Sequence, residues 1–327
     1  MIEFLVYPLM LVGFYFLIKG ADFLVDGSSS IAKRFGISDL VVGLTIVSLG
    51  TSMPEMVVTI LSVLEGKPDV GVGNVLGSNI SNILLILGMT ACIRTLNVSR
   101  STVYSEIPFS ILAAMVIGFV ANTNVFKTSF TGLRIDRVEG LVVLVFLGIF
   151  FLYITTLIAE ERKTDKTLKG GPGFEVVSPL KSTGLILAGM ALLFVGGKWV
   201  VDGAIALAEL MQMSEAFISL TIIALGTSLP ELMTSIIAAR KGNADVAIGN
   251  VVGSNIINLL WILGLSSVIL PTPMNVISNQ DIYVVVLASI MLLIFMGMSK
   301  RHAILRWHGV FLIGMYVLYT IFLIYRE

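Results

Sequence analysis

Apolar residues fill long stretches of this chain and are separated by short polar segments. Crossing roughly 30 Å of hydrocarbon takes about 20 mainly apolar residues in a helix. Ten stretches meet that length, at about 3–25, 38–63, 69–91, 103–121, 138–159, 181–207, 214–239, 245–270, 281–299 and 305–325. The first begins Met1-Ile2-Glu3, without a basic leader or a small-residue cleavage site, so it is expected to be a retained helix and not a signal peptide. The expected fold class is an all-α polytopic membrane protein of ten transmembrane helices.

Basic residues sort to one side of these spans. One set of loops holds Lys33, Arg34, Arg94, Arg100, Arg162, Lys163, Lys166, Lys169, Lys181, Arg240, Lys241, Lys300, Arg301 and Arg306. The opposite set holds only Lys67, Lys127, Arg134, Arg137 and Arg326. The positive-inside rule places the first set in the cytoplasm of a cell-membrane protein and both termini outside. The polar stretch 160–180, rich in Lys, Glu, Thr and Gly, is expected to be a flexible cytoplasmic linker.

The pattern also repeats. Leu44–Gly88 aligns with Leu220–Gly264 at a constant offset of 176 without a gap, and 25 of the 45 positions are identical. Gly50-Thr51-Ser52-Met53-Pro54-Glu55 recurs as Gly226-Thr227-Ser228-Leu229-Pro230-Glu231, and Gly73–Asn82 recurs as Gly249–Asn258. Two five-span repeats follow, 1–159 and 181–327, joined by the linker. Five is odd, so the second repeat enters the membrane from the opposite side. The loops agree: Lys33 and Arg34 follow span one, whereas no Lys or Arg follows span six. Inverted repeats with discontinuous helices near the midplane are a recurring plan of secondary transporters.

Composition narrows the chemistry. Apolar residues make up 56% of the chain and charged residues 13%, about half the usual fraction in a soluble domain. Net charge is zero, which gives no electrostatic reason for nucleic-acid binding. Cys92 stands alone, so no internal disulfide or cysteine metal cluster is expected.

Within the repeated motif, Pro54 and Pro230 lack an amide hydrogen and crowd the carbonyl four residues back, so each helix should break at about 48–52 and its counterpart. Freed carbonyls must then face protein, water or a cation. Glu55 and Glu231 sit in mid-span, where a carboxylate costs about 2.5–3.5 kcal/mol to insert and usually marks an ion path. With the hydroxyls of Thr51, Ser52, Thr227 and Ser228, and with Ser78, Ser254, Asn82 and Asn258 on the companion helices, they form an all-oxygen donor set. Such a set suits Ca²⁺, which takes six to eight oxygens, better than Zn²⁺ or Cu⁺. Plainer roles are expected elsewhere: the glycines of Gly73–Ser78 and Gly249–Ser254 also serve as helix-packing seams, Asp26 and Asp202 as caps or snorkelling groups, and His302 and His308 as interfacial anchors.

The doubled Gly-Thr-Ser-x-Pro-Glu with a following Gly-Ser-Asn-x-x-Asn resembles the alpha repeats of the cation/calcium exchanger superfamily, in particular its prokaryotic sodium/calcium exchanger-like members. The resemblance covers nearly the whole chain. It implies four clustered cation positions. Calcium would be held by Glu55 and Glu231 with the carbonyls of Thr51 and Thr227. An outer sodium would take Glu55, Ser78, Ser228, Thr227 and the Ala224 carbonyl. An inner sodium would take Glu231, Ser254, Ser52, Thr51 and the Ser48 carbonyl. A middle position would involve Asn82 and Asn258 with both glutamates. Spans one and six would slide past the other eight. Position 258 is often Asp in that superfamily, so Asn258 weakens the case for potassium co-transport and makes the site nearly symmetric.

The expected activity is alternating-access antiport, Ca²⁺ leaving as Na⁺ enters, with no enzymatic activity, no cofactor and no obligate protein partner beyond the lipid bilayer. A Ca²⁺/H⁺ antiporter that protonates the two glutamates is the alternative, and a cation channel is the alternative of a different class.

Overall fold

The computed structural model describes residues 5–123, 133–164, 177–211, 224–299 and 302–326. The first repeat contains α1 (Val6–Phe35), α2 (Asp39–Thr51), α3 (Met53–Leu64), α4 (Pro68–Ile93), α5 (Thr102–Ala121) and α6 (Arg137–Thr164). The second contains α7 (Pro179–Leu210), α8 (Ala224–Gly226), α9 (Leu229–Arg240), α10 (Ala244–Ile269), α11 (Ser278–Met298) and α12 (Arg306–Arg326). Among the described residues eight helices are each long and apolar enough to span a bilayer, and the bent pair α2–α3 makes a ninth. The tenth expected span, 214–239, falls partly on residues outside the described set, as does most of the expected linker.

Enclosure grades from the centre outward. The apolar stretch of α10 is 94% buried and that of α4 is 72% buried, whereas those of α6 and α12 are 17% buried. The central pair therefore carries the polar residues, shielded from lipid by its neighbours, which is the only place such residues are tolerated at membrane depth. Two short ladders tie loops across the repeats: β1 (Leu96–Asn97) pairs with β4 (Ala303–Ile304), and β2 (Leu133–Ile135) with β3 (Thr272–Met274).

The first span is longer than expected, continuing through Asp26-Gly27-Ser28-Ser29-Ser30 to Phe35. Hydropathy ends that span early because these residues are polar. The helix persists because Gly27, Ser28, Ser29 and Ser30 are buried, with Ser30 Oγ 2.9 Å from Ser182 on α7 and Ser29 Oγ 3.2 Å from Asn243.

α1 and α7 pack backbone to backbone along a glycine seam. A Cβ on Gly13 would lie 2.8 Å from the Gly196 carbonyl, and one on Gly20 would lie 2.9 Å from the Gly189 carbonyl. Positions fall on α7 as they rise on α1, so the helices are antiparallel. The offset of 176 maps Gly13 to Gly189 and Gly20 to Gly196, so each contact is the image of the other. Such small-residue seams replace the missing hydrophobic drive between helices in lipid.

His308 is not an interfacial anchor. It is 1% exposed, accepts a hydrogen bond from the Leu305 amide at 3.1 Å and stacks on Phe295. Asp26 and Asp202 are ion-paired, to Lys241 and Lys198 respectively.

Replacing Gly189 with Leu should destabilise the protein by about 1–3 kcal/mol through overpacking, read as a lower melting temperature in detergent. Gly184→Leu on the same helix, where a Cβ meets nothing within 4 Å, should leave it unchanged.

Candidate cation site

The break expected in each repeated motif is confined to one or two residues. Ser52 (φ −82°, ψ 7°) separates α2 from α3 and bends their axes by 46°. Thr227 and Ser228 (φ −87°, ψ 5° at Ser228) separate α8 from α9. The proline follows two residues later, inside the first turn, where its missing amide does no harm.

Each serine is the N-cap residue of a helix whose third position is the glutamate, the spacing of a capping box. Neither serine caps its own helix. Ser52 Oγ donates instead to Glu231 Oε1 at 3.0 Å, and Ser228 Oγ lies 3.3 Å from Glu55 Oε1. The box is exchanged between the repeats. Both carboxylates are fully buried, each in the first turn of a helix, where the helix dipole favours negative charge.

Asparagines on α4 and α10 hold the arrangement. Asn74 Nδ2 donates to the Glu55 carbonyl (3.3 Å) and to Thr59 Oγ1 (3.1 Å), while its Oδ1 accepts from Thr227 Oγ1 (3.2 Å). Asn250 repeats this with the Glu231 carbonyl, Ser235 and Thr51 at 3.3, 3.0 and 3.0 Å. The threonine hydroxyl protons are thereby turned onto the asparagines, and threonine lone pairs stay free as acceptors.

Asn79 and Asn255 mark the pseudo-two-fold axis, because each is the repeat counterpart of the other and each donates to the other's carbonyl at 3.3 Å. Their side-chain oxygens accept from Asn258 Nδ2 (3.1 Å) and Asn82 Nδ2 (2.9 Å). With the amide nitrogens of Asn82 and Asn258 engaged this way, their oxygens are what remains for a ligand. Both residues open π-helical segments, Asn82–Ile86 and Asn258–Ile262, a local widening that recurs at functional sites.

Acceptors exceed donors here. Glu55 Oε2, Glu231 Oε2, Asn82 Oδ1 and Asn258 Oδ1 are buried acceptors without a hydrogen-bond partner among the described residues. A buried polar atom left unpaired costs about 1–3 kcal/mol. Glu55 Oε1, Ser78 Oγ and Ser228 Oγ form a triangle with sides of 3.3, 3.3 and 3.0 Å. Two hydroxyl protons can serve only two of its three edges, so an ionised Glu55 leaves one pair of lone pairs facing each other. A cation capping the triangle from one side, or a proton on Glu55, removes that conflict.

The structure therefore brings together Glu55, Ser78 and Ser228 on one side, and Ser52 and Glu231 on the other. Ser48 is buried, its carbonyl accepting from the Ser52 amide (3.0 Å) and lying 3.4 Å from Thr51 Oγ1, whose proton is directed to Asn250. Ala224 is the first described residue of α8. No hydrogen bond among the described residues joins Ser48 or Ala224 to a carboxylate. Asn74, Asn250, Asn79 and Asn255 were not among the expected site residues, although each recurs at the 176 offset that singled out the others.

Asn255→Ala frees the Asn82 amide to rotate. The Ca²⁺ concentration giving half-maximal thermal stabilisation should then rise about tenfold, the weight of one to two hydrogen bonds.

Three comparisons bear on this geometry. Residues 5–158 and 181–325 match the family model of the sodium/calcium exchanger protein. The sodium/calcium exchanger MaX1 of Methanosarcina acetivorans is 32% identical, covering 97% of this chain and 98% of its own. The inner membrane protein YrbG of Escherichia coli is 36% identical over 86% of each chain. Among solved structures, the sodium-calcium exchanger NCX_Mj soaked with 10 mM Na⁺ and zero Ca²⁺ superposes with a TM-score of 0.80 at 28% identity, covering 97% of this chain and 98% of that one. The chain belongs to the sodium/calcium exchanger family of membrane antiporters.

Proposed function

We propose that this protein exchanges Na⁺ for Ca²⁺ across the cell membrane by alternating access, Ca²⁺ leaving as Na⁺ enters. The observation that carries the reading is the pair of buried glutamates, each with one oxygen lacking any partner among the described residues and the other bound by a serine of the opposite repeat. Two carboxylates are neutralised by one Ca²⁺ or by two or more Na⁺, so one set of ligands serves both ions in competition. Glu55 and Glu231 with the carbonyls of Thr51 and Thr227 hold Ca²⁺. Na⁺ takes two positions: Glu55, Ser78, Ser228, Thr227 and the Ala224 carbonyl, then Glu231, Ser254, Ser52, Thr51 and the Ser48 carbonyl. Asn82 and Asn258 serve the middle position. The basic loops face the cytoplasm and the termini lie outside.

The Glu55 triangle also favours a second reading, Ca²⁺/H⁺ antiport, because a proton on that carboxylate supplies the missing third edge. Differential occupancy drives transport in either case, since a ligand that binds both states equally moves nothing.

Reconstituted ⁴⁵Ca²⁺ flux under parallel Na⁺, K⁺ and H⁺ gradients separates the two. Uptake into Na⁺-loaded vesicles should follow the Na⁺ gradient; uptake that ignores Na⁺ and follows pH gives the second reading. Glu55→Gln and Glu231→Gln should each lower Ca²⁺ flux at least about tenfold, the loss of one charged ligand, while the protein still inserts.

A further inference from the structure

The two repeats have the same plan but are not packed alike. α9 lies along α1, whereas α3, its counterpart, stands apart from α7, the counterpart of α1. Leu61 on α3 is 51% exposed and its counterpart Ile237 on α9 is 8% exposed. The space between α3 and α7 is a cavity of about 220 Å³ lined by Pro54, Val57 and Val58 from one side and by Gly197, Lys198 and Asp202 from the other. One face of the protein is shut between α1 and α9; the opposite face is open between α7 and α3.

Charged residues follow the same division. On the shut face, Lys241 caps the end of α9 and reaches α1, with Nζ 3.1 Å from Asp22 Oδ1 and 2.7 Å from Asp26 Oδ1. The offset of 176 carries Asp22 to Lys198, Asp26 to Asp202 and Lys241 to Glu65. Each trio is one lysine and two carboxylates, but the lysine has changed helix. It stands at the end of the short helix on one face and on the long helix on the other. On the open face the trio is not closed. Lys198 holds Asp202 at 2.6 Å, while Glu65 is 62% exposed and meets only its neighbour Lys67 at 3.7 Å among the ion pairs of the described residues.

We infer that the two trios are alternative ionic clasps: in the opposite state Glu65 at the end of α3 takes hold of Lys198 on α7, and Lys241 releases Asp22 and Asp26. This rests on the alternating-access reading above. Inverted repeats exchange conformations when access alternates, so closing the α3–α7 cavity gives Glu65 the position relative to α7 that Lys241 has here relative to α1. A lysine between two carboxylates then forms on whichever face is shut. Because each clasp forms in one state only, each biases the equilibrium between the states, and the two pull in opposite directions.

The test uses the full-length protein with Cys92, its only cysteine, replaced by Ser. One variant carries Asp26→Cys with Lys241→Cys, another carries Glu65→Cys with Lys198→Cys, and both are treated with a short bifunctional thiol reagent under varied Na⁺ and Ca²⁺. The yields should vary in opposition, the second pair linking under conditions where the first does not. Adding Lys241→Gln to the second pair should raise its yield about two- to fivefold, the weight of a partly exposed ion pair. Cross-linking needs no transport, so its outcomes are separable. If the first pair links under every condition and the second never does, both the clasp and alternating access are overturned. If the yields alternate but Lys241→Gln leaves the second unchanged, the clasp is overturned and the antiport reading stands.

Discussion

A carboxylate sealed inside a membrane protein must be matched by a proton or a cation, and the rest of this structure is arranged around two that are not matched by protein. Glu55 and Glu231 are wholly buried, yet no Lys or Arg is ion-paired to either among the described residues. The groups around them are serine and asparagine, which are short, neutral and supplied in matched sets by the two repeats. Neutral ligands do not compete with a cation for the carboxylate charge as a lysine would. They hold the oxygens in place and leave the charge uncompensated by any ion pair among the described residues.

Placing that site near the pseudo-two-fold axis has a structural consequence. Asn79 and Asn255 exchange hydrogen bonds as counterparts, and the capping-box serines reach across to the opposite repeat. The centre of the molecule is therefore close to symmetric. The asymmetry lies at the periphery, where α1 is packed onto α9 and α7 stands off α3. A symmetric ligand set between unequal faces is what a carrier needs to offer one site to two sides in turn. The glycine seam between α1 and α7 makes those two helices a single packed unit, distinct from the polar core they cover.

Much of this was legible in the sequence because the constraints were local and doubled. The proline two residues after each serine located the break to within a few residues of Ser52 and Ser228, and mid-span glutamates in an apolar helix stood out against their insertion cost. The extension of α1 through Asp26–Ser30 was not legible, because hydropathy scores a residue against lipid and these serines face α7 and the α9–α10 turn. Nor were the roles of Asn79 and Asn255, whose partners lie 176 residues away and whose effect is to turn other amides. The S-x-x-E spacing was visible, but local rules would assign each serine to its own helix. Only the tertiary arrangement exchanges the two.

Equilibrium binding of ⁴⁵Ca²⁺ to the purified protein in detergent, titrated with Na⁺, tests most directly whether the two glutamates form one shared site. One saturable Ca²⁺ per chain is expected, displaced competitively by Na⁺ and lost when Glu55 and Glu231 are both changed to Gln. Saturable Ca²⁺ binding that survives in that double variant, or that Na⁺ does not displace, would contradict it.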